Sequence, residues 1–193
     1  MKVLIVYCHP SHHSFTYQVK EHFVQGLKEA KHEYEIIDLY AENFNSDISE
    51  SEYLREAFYD DKQDIPDDVK KYQEIINRND AIVFIYPVFW TEAPSKLVGW
   101  FQRVWTYGFA YGKQMMKTLE KSLFLVTMGG DAEEPLRKRQ IEAMKEVMIG
   151  DRMASRALKN EFVIYDRMSR DYKERQQKME KYLQDAYLRG KVF

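Results

Sequence analysis

Five strand-like segments alternate with stretches of helical periodicity along this chain of 193 residues, and this order constrains the fold more than any other feature. Segment 81–86 is apolar throughout, as expected for a central strand that is buried on both faces of a sheet. The other strand candidates are segments 3–7, 35–40, 123–127 and 162–165. Strands that alternate with helices favour a parallel sheet covered by those helices.

Helices are indicated by apolar residues that recur every three to four positions and by residues suited to helix starts. We expect one helix from Ser14, as its N-cap, to about residue 31, and further helices that begin at Pro66, Pro94 and Pro135. The C-terminal segment carries another amphipathic pattern. Right-handed crossovers leave few topologies. We therefore predict one α/β domain over residues 1–193, a five-stranded parallel sheet in the flavodoxin-like order 2-1-3-4-5 with helices on both faces.

Composition argues against several classes of protein. Lys and Arg number 29 and Asp and Glu 31, so no basic excess exists to neutralise a nucleic-acid backbone. Cys8 is the only cysteine, which excludes a disulfide framework and a metal site built from cysteines. No apolar run has the length of a membrane span, and a strand begins directly after the first residues without a signal peptide. These features predict a cytoplasmic protein.

Segment 46–68 is strongly acidic, with nine carboxylates and only Arg55 and Lys62 as bases. A solvated surface insertion is the simplest interpretation of such a segment. An acidic face that binds a partner protein is the alternative.

Three loops should meet at one edge of the predicted sheet, because the carboxyl ends of parallel strands lie together. Ligands bind at this edge, at the point where the strand order reverses. The loops are 9–16, 87–94 and 127–131, which follow the first, third and fourth strands. We expect them to converge on a single crevice.

The first loop, 9–16, contains neither the G-x-G-x-x-G nor the G-x-x-x-x-G-K motif of nucleotide-binding folds. It offers the hydroxyls of Ser11, Ser14 and Thr16, three imidazoles and the free N–H groups of a helix start, which together suit a phosphate group. Capping of an ordinary helix is the alternative. A metal site is not expected, because two of the histidines are adjacent and point in different directions, and the loop holds no acidic residue.

The other two loops offer surfaces that a flat ligand could approach. Loop 87–94 places Phe89 and Trp90 after the central strand, where a heteroaromatic ring could stack, although an aromatic pair in the core is the alternative. Gly129 and Gly130 lack a Cβ, so the third loop permits close approach to its backbone or forms only a turn. Together the loops predict a site for a phosphorylated, flat cofactor.

The residues of these loops resemble those of a known family. Segments 86–105 and 108–112, which read YPVFWTEAPSKLVGWFQRVW and GFAYG, strongly resemble the flavodoxin-like NAD(P)H:quinone oxidoreductases. This family includes the DT-diaphorase type, the bacterial modulator of drug activity and the ancillary flavoproteins of potassium efflux systems. His9-Pro10 with Ser14-Phe15, and Thr127-x-Gly129-Gly130, are similar to its other two signatures. The resemblance covers residues 1–131 well and the remainder poorly.

The resemblance implies a flavin site and a homodimer. Tyr111 matches a family tyrosine that reaches across the dimer interface toward the partner's pocket, whereas Gly99, Trp100 and Phe101 are expected to pack the supporting helix. The first loop would hold the flavin phosphate, and the second and third loops would line the ring system. The residues implied are His9, Ser14, Phe15, Thr16, Pro87, Val88, Phe89, Trp90, Thr127, Gly129 and Gly130.

The resemblance also implies the chemistry. NAD(P)H would deliver hydride to the flavin, and a quinone or similar flat electrophile would then occupy the same place, in a ping-pong mechanism. We expect no catalytic side chain, since backbone N–H groups can stabilise the charge of the reduced ring. The tyrosine and histidine that larger family members carry after the two glycines are absent from segment 131–140, and the short chain favours FMN over FAD.

Other interpretations remain open at this stage. The main alternative is a regulatory flavoprotein subunit of a potassium efflux transporter. A one-electron flavodoxin is disfavoured, because loop 9–16 differs from the Thr- and Gly-rich phosphate loop of those proteins. The run Arg137-Lys138-Arg139 is interpreted as a solvated helix face, with the phosphate of NADPH as its alternative ligand.

Overall fold

The computed structural model describes residues 1–193 and contains a five-stranded sheet with helices on both faces. The strand order is β2-β1-β3-β4-β5, and every neighbouring pair is parallel. The predicted fold class and strand order are confirmed. The strands are β1 Lys2–Tyr7, β2 Glu33–Asp38, β3 Ala81–Pro87, β4 Leu119–Thr127 and β5 Ala157–Tyr165.

The helices begin close to the predicted positions. Ser14 caps α1, since its Oγ accepts a hydrogen bond from Tyr17 N–H at 3.1 Å. Pro66 and Pro94 are N-caps and stand one residue before their helices, whereas Pro135 is the first residue of its helix. None of the helices combines the length and apolar character needed to cross a lipid bilayer. The helices are α1 Phe15–Glu29, α2 Glu50–Ala57, α3 Asp67–Asn77, α4 Ser95–Val104, α5 Pro135–Lys145, continued by a π-helix over Glu146–Met153, and α6 Arg175–Lys191.

Strands β4 and β5 are longer than predicted. They pair from Leu119 and Ala157 onward, although Glu120 and Lys159 near their starts are exposed. The apolar pattern on which the prediction depended begins only where both faces of the sheet are covered. Strand β2 begins and ends two residues earlier than predicted, at Glu33–Asp38, because it pairs with β1 over exactly the length of that strand.

Each face of the sheet has its own hydrophobic core. On one face, the rings of Phe84 and Phe124 stack with centroids 4.8 Å apart beneath α3 and α4. Gly99, Trp100 and Phe101 of α4 are buried there, in agreement with the packing role expected for them. On the other face, α1 and α6 cover the central strands.

Helices α1 and α6 approach each other through a pair of glycines. A Cβ added to Gly26 would stand 2.1 Å from the carbonyl oxygen of Tyr187, and a Cβ added to Gly190 would stand 2.1 Å from that of Phe23. Both distances are far shorter than any van der Waals contact. The close packing of the two helices therefore requires glycine at both positions.

The acidic segment 46–68 lies on the surface with most of its residues exposed, as expected for a solvated insertion, but it is also tied into the fold at one point. It forms α2, and its anchor is Arg103 of α4, whose side chain is only 5% exposed. The guanidinium donates to Glu52 at 2.7 Å, to Asp68 at 2.7 Å and to the carbonyl oxygen of Asn45 at 2.9 Å. Sequence reasoning missed this junction because the base lies 35 residues after the nearest of its carboxylates.

Candidate functional site

Thr127, the last residue of β4, joins the three loops predicted to converge. Its hydroxyl lies 2.7 Å from Thr16 Oγ1, and its carbonyl oxygen accepts a hydrogen bond from Val88 N–H at 2.8 Å. Both threonines are buried, which protects the bond between them from water. The three loops therefore meet at the carboxyl edge of the sheet, beside the reversal of strand order at β1 and β3.

The first loop presents hydrogen-bond donors to the space at this edge. The N–H groups of Ser14, Phe15 and Thr16 donate to no group in the chain, as is usual at a helix N-terminus. Ser11 N–H donates to His9 Nδ1 at 2.9 Å. Partial burial lowers the pKa of His9, so the ring is neutral at pH 7 and its proton lies on Nε2. This loop thus supplies four donors that suit an anion.

The other histidines of the loop point elsewhere. His12 Nε2 lies 2.9 Å from Asp38 Oδ2 at the end of β2, and its ring stacks on Tyr17 with centroids 4.9 Å apart. His13 is exposed. No group of three or more His, Cys, Asp or Glu side chains in residues 1–193 is arranged to hold a metal ion.

The second loop contains a tight turn with an unusual backbone. Phe89 and Glu92 exchange two backbone hydrogen bonds, of 2.8 and 3.1 Å. Between them, Trp90 and Thr91 have φ values of +53° and +63°, a region that ordinary residues occupy at a cost of about 1–3 kcal/mol each. Their N–H groups have no acceptor in the chain, and the Trp90 side chain is 100% exposed. Such stored strain is typical of ligand-binding turns.

The third loop leaves its donors free on one side. The carbonyl oxygens of Met128, Gly129 and Gly130 all accept hydrogen bonds from residues that follow β5. The N–H groups of the two glycines have no acceptor in the chain. Arg137 lies against this loop, because a Cβ on Gly130 would stand 3.2 Å from its Nε. Arg137 is half-buried, whereas Lys138 and Arg139 are exposed, as expected for a solvated helix face.

Tyr111 and Cys8 have identifiable surroundings. Tyr111 is half-buried, and its hydroxyl donates to Glu56 Oε2 at 2.7 Å, so it packs against α2 of its own chain. Burial by neighbouring groups raises the pKa of Tyr111.

Cys8 is fully buried, and burial raises the pKa of its thiol to about 12. Cys8 is accordingly a packed, neutral side chain.

An open cleft of about 580 Å³ adjoins the second loop and extends along the outer face of α4. Its lining includes Phe89, Glu92, Val98 and Gln102. A second cavity, of about 280 Å³ beside Lys113, contains no residue of the three loops.

The site also contains residues that sequence reasoning missed. Asp166 and Arg167 follow β5 directly and contact the third loop. The rule that placed the other loops at the carboxyl edge applies equally to the loop after the fifth strand. The missed signal was the polar pair that ends the apolar segment 162–165.

The arrangement fits a flavin with a phosphorylated side chain. Neutral His9 and the free N–H groups at the start of α1 suit the phosphate. The free N–H groups of Trp90, Thr91 and the two glycines suit the polar edge of a flat ring. Because Thr127 ties all three loops together, both sets of donors lie at the same edge of the sheet.

A parallel sheet in this strand order, with a ligand site at its carboxyl edge, defines a flavodoxin-like protein. The model of the Flavodoxin_2 family, described by a flavodoxin-like fold, matches residues 1–187. The chain belongs to this family.

The chain is similar to an NAD(P)H:quinone oxidoreductase from Methanothermobacter marburgensis, with 39% identity and a TM-score of 0.92 over 99% of this chain and 94% of that one. It is 32% identical over 147 residues to NAD(P)H dehydrogenase (quinone) 1 of Rattus norvegicus, and 30% identical over 132 residues to an uncharacterized NAD(P)H oxidoreductase of Escherichia coli. These two alignments cover 67% and 68% of this chain, but only 54% and 66% of the relatives, so the chain spans between half and two thirds of their length.

Proposed function

We propose that the chain is a flavin-dependent oxidoreductase that uses NAD(P)H to reduce a quinone or a similar flat electrophile. The observation that carries this proposal is the junction at Thr127, which joins the first loop, with its free donors at a helix start, to the other two loops at one edge of the sheet. The names of the similar proteins from Methanothermobacter and Rattus support the donor and the acceptor class.

Within this proposal the protein binds and orients, and it contributes no catalytic side chain. His9 and the N–H groups of Ser14, Phe15 and Thr16 would hold the phosphate. The N–H groups of the second and third loops would stabilise negative charge at the ring, and Pro87, Val88 and Phe89 would shape its binding surface. The bound flavin would supply the hydride chemistry between NAD(P)H and the quinone.

We propose FMN as the flavin, because the donors of the first loop accommodate a terminal phosphate at a helix start. Nothing in the site distinguishes NADH from NADPH except Arg137, whose position beside Gly130 would favour the extra phosphate of NADPH.

The proposal is tested by adding FMN to the purified, flavin-free protein and measuring its binding by calorimetry. We expect one FMN per chain, bleaching of the flavin absorbance by NAD(P)H without oxygen, and its return on addition of a quinone. Parallel lines in double-reciprocal plots would indicate ping-pong kinetics. Failure to bind either FMN or FAD would contradict the proposal.

We further propose a homodimer, supported by an exposed apolar face on α2 and the residues that follow it. Tyr53, Leu54, Phe58 and Tyr59 are 60%, 41%, 74% and 63% exposed. This face continues toward Tyr111 through ring contacts of Tyr59 with Tyr107 and of Tyr107 with Tyr111. Large exposed apolar patches mark interfaces more often than free surface.

Sedimentation velocity is expected to give twice the mass of the 23.2 kDa chain. The Phe58→Asp variant is expected to shift this mass toward the monomer. Leu158→Asp is the matched control, because Leu158 is similarly exposed, at 75%, but lies on β5. Equal masses for the two variants would contradict the proposed interface.

A cytoplasmic location is also proposed, because a single buried thiol is compatible with a reducing compartment.

We do not propose that the chain is a regulatory subunit of a potassium efflux transporter. Within the acidic segment, Glu52 and Glu56 are engaged by Arg103, Tyr107 and Tyr111 of the same chain, which leaves less of the segment's charge for a partner.

A further inference from the structure

The segment that follows β5 lies along the third loop and donates backbone hydrogen bonds to it. Arg167 N–H donates to the carbonyl oxygen of Gly130 at 2.8 Å, Met168 N–H to that of Met128 at 3.1 Å, and Ser169 N–H to that of Gly129 at 3.2 Å. Three consecutive carbonyl groups are thereby held on one side of the loop.

The two segments approach each other closely at Gly129. A Cβ on Gly129 would stand 2.6 Å from Ser169 Oγ. The residue that starts this clamp, Arg167, has a φ of +56°, so the chain turns sharply to reach the loop. The backbone of the third loop is therefore fixed from the side of β5 and α6.

Asp166 connects this clamp to α6. Its Oδ2 accepts at 2.9 Å from the N–H of Ala132, the residue that directly follows the third loop. Its Oδ1 accepts from Lys178 Nζ at 2.7 Å and from the Tyr182 hydroxyl at 2.5 Å, both on α6. The residue is 5% exposed, and all of these partners are donors. Only a carboxylate can accept from all of them at once.

The charge on Asp166 is maintained despite its burial. Burial raises the pKa of this carboxyl group, but the bonds from Lys178, Tyr182 and Ala132 more than offset that effect and leave the pKa below its usual value. Asp166 is consequently ionised at neutral pH, and its bond to Ala132 is charge-assisted.

We propose that Asp166 is a positioning residue for flavin binding: through Ala132 N–H it holds the third loop in the shape that leaves the N–H groups of Gly129 and Gly130 free for the ligand. This inference rests on the proposed function. It predicts that the loop loses both order and flavin affinity when the carboxylate is removed, even though Asp166 itself contacts no ligand.

Asp185 provides a matched control. Its carboxylate also accepts from a tyrosine hydroxyl, that of Tyr165 at 2.7 Å, and from a base of α6, Arg189 at 2.6 Å. It makes no bond to the third loop. Both aspartates therefore accept from a tyrosine hydroxyl and a base of α6, but only Asp166 bonds to Ala132, and its side chain is 7% exposed against 40% for Asp185.

The test compares Asp166→Ala, Asp166→Asn and Asp185→Ala with the wild type, using FMN binding by calorimetry and amide hydrogen exchange of segment 128–133 in the flavin-free protein. We expect Asp166→Ala to weaken FMN binding at least tenfold and to accelerate exchange in this segment. Asp166→Asn offers a single acceptor oxygen, so both effects are expected again but smaller. Asp185→Ala should leave both quantities within twofold of the wild type.

Hydrogen exchange is measured without flavin, so it tests the positioning role of Asp166 separately from the proposed flavin-dependent function. Exchange that is unchanged in both Asp166 variants would overturn the positioning role, whatever the flavin affinity. Unfolding of Asp166→Ala would leave Asp166→Asn to decide in the same way. Faster exchange in a protein that binds neither FMN nor FAD would support the clamp on the loop and contradict the proposed function alone.

Discussion

Replacement of Arg103 by methionine is expected to lower the free energy of unfolding by about 3–5 kcal/mol, the range found when one partner of a buried ion pair is removed. Methionine keeps most of the volume but leaves Glu52, whose side chain is only 12% exposed, without its cation. Urea unfolding followed by circular dichroism measures the change.

The matched control is Arg78→Met. Arg78 pairs with Glu35 on the surface, where the two side chains are 55% and 38% exposed. Solvent screens that pair, so its loss should cost at most about 1 kcal/mol. Equal effects of the two substitutions would show that the Arg103 junction does not anchor the acidic segment.

The Arg103 effect should also depend on pH. Burial raises the pKa of Glu52, but hydrogen bonds from Ser49 and Arg103 more than offset this and leave the pKa below its usual value. A carboxylate with a lowered pKa adds stability above its unfolded-state pKa of about 4.3 and loses it as the pH falls further. The stability difference between the wild type and Arg103→Met is therefore expected to shrink below about pH 4.

Substitution of Gly190 by alanine is expected to destabilise the protein by about 3 kcal/mol, because overpacking forces backbone shifts. The new Cβ would stand 2.1 Å from the carbonyl oxygen of Phe23, so α6 must move away from α1. The sign of this change in unfolding free energy is informative, because alanine in place of glycine inside a helix ordinarily stabilises a protein by about 0.5–1 kcal/mol.

Gly150→Ala is the control for this substitution. The atoms nearest to its added Cβ belong to the end of the flexible Glu146 side chain, which can move aside. Its unfolding free energy should stay within about 1 kcal/mol of the wild type. A similar loss for both alanine variants in urea titrations would contradict the tight packing of α1 on α6.

The parts of the fold that sequence reasoning predicted are those with strong local signals. The apolar run of β3 and the cap at Ser14 depend on neighbours in the chain, and both are present in the structure. The starts of β4 and β5 were missed because exposed residues such as Glu120 and Lys159 mask pairing that only the partner strand reveals. Arg103 was missed for the same reason, since its partners are distant in sequence.

The candidate site shows the same limit. Loop positions followed from strand order, and the three loops are joined at Thr127 at the carboxyl edge of the sheet. The backbone of Trp90 and Thr91 and the hydrogen bond between Thr16 and Thr127 were not foreseeable, because neither residue type favours a positive φ and the two threonines are 111 residues apart. Asp166 could have been predicted, because it follows β5 and the carboxyl ends of all parallel strands lie at the same edge of the sheet.

The exposure of Trp90 has a practical consequence for following the site. Trp100 is fully buried and Trp105 is half-buried, so Trp90 is the single indole surrounded entirely by water. Its emission should lie at longer wavelength than that of the others and should respond when a ring covers the turn. If the proposed flavin binds there, Trp90 emission is expected to distinguish an empty binding edge from a filled one without any attached dye.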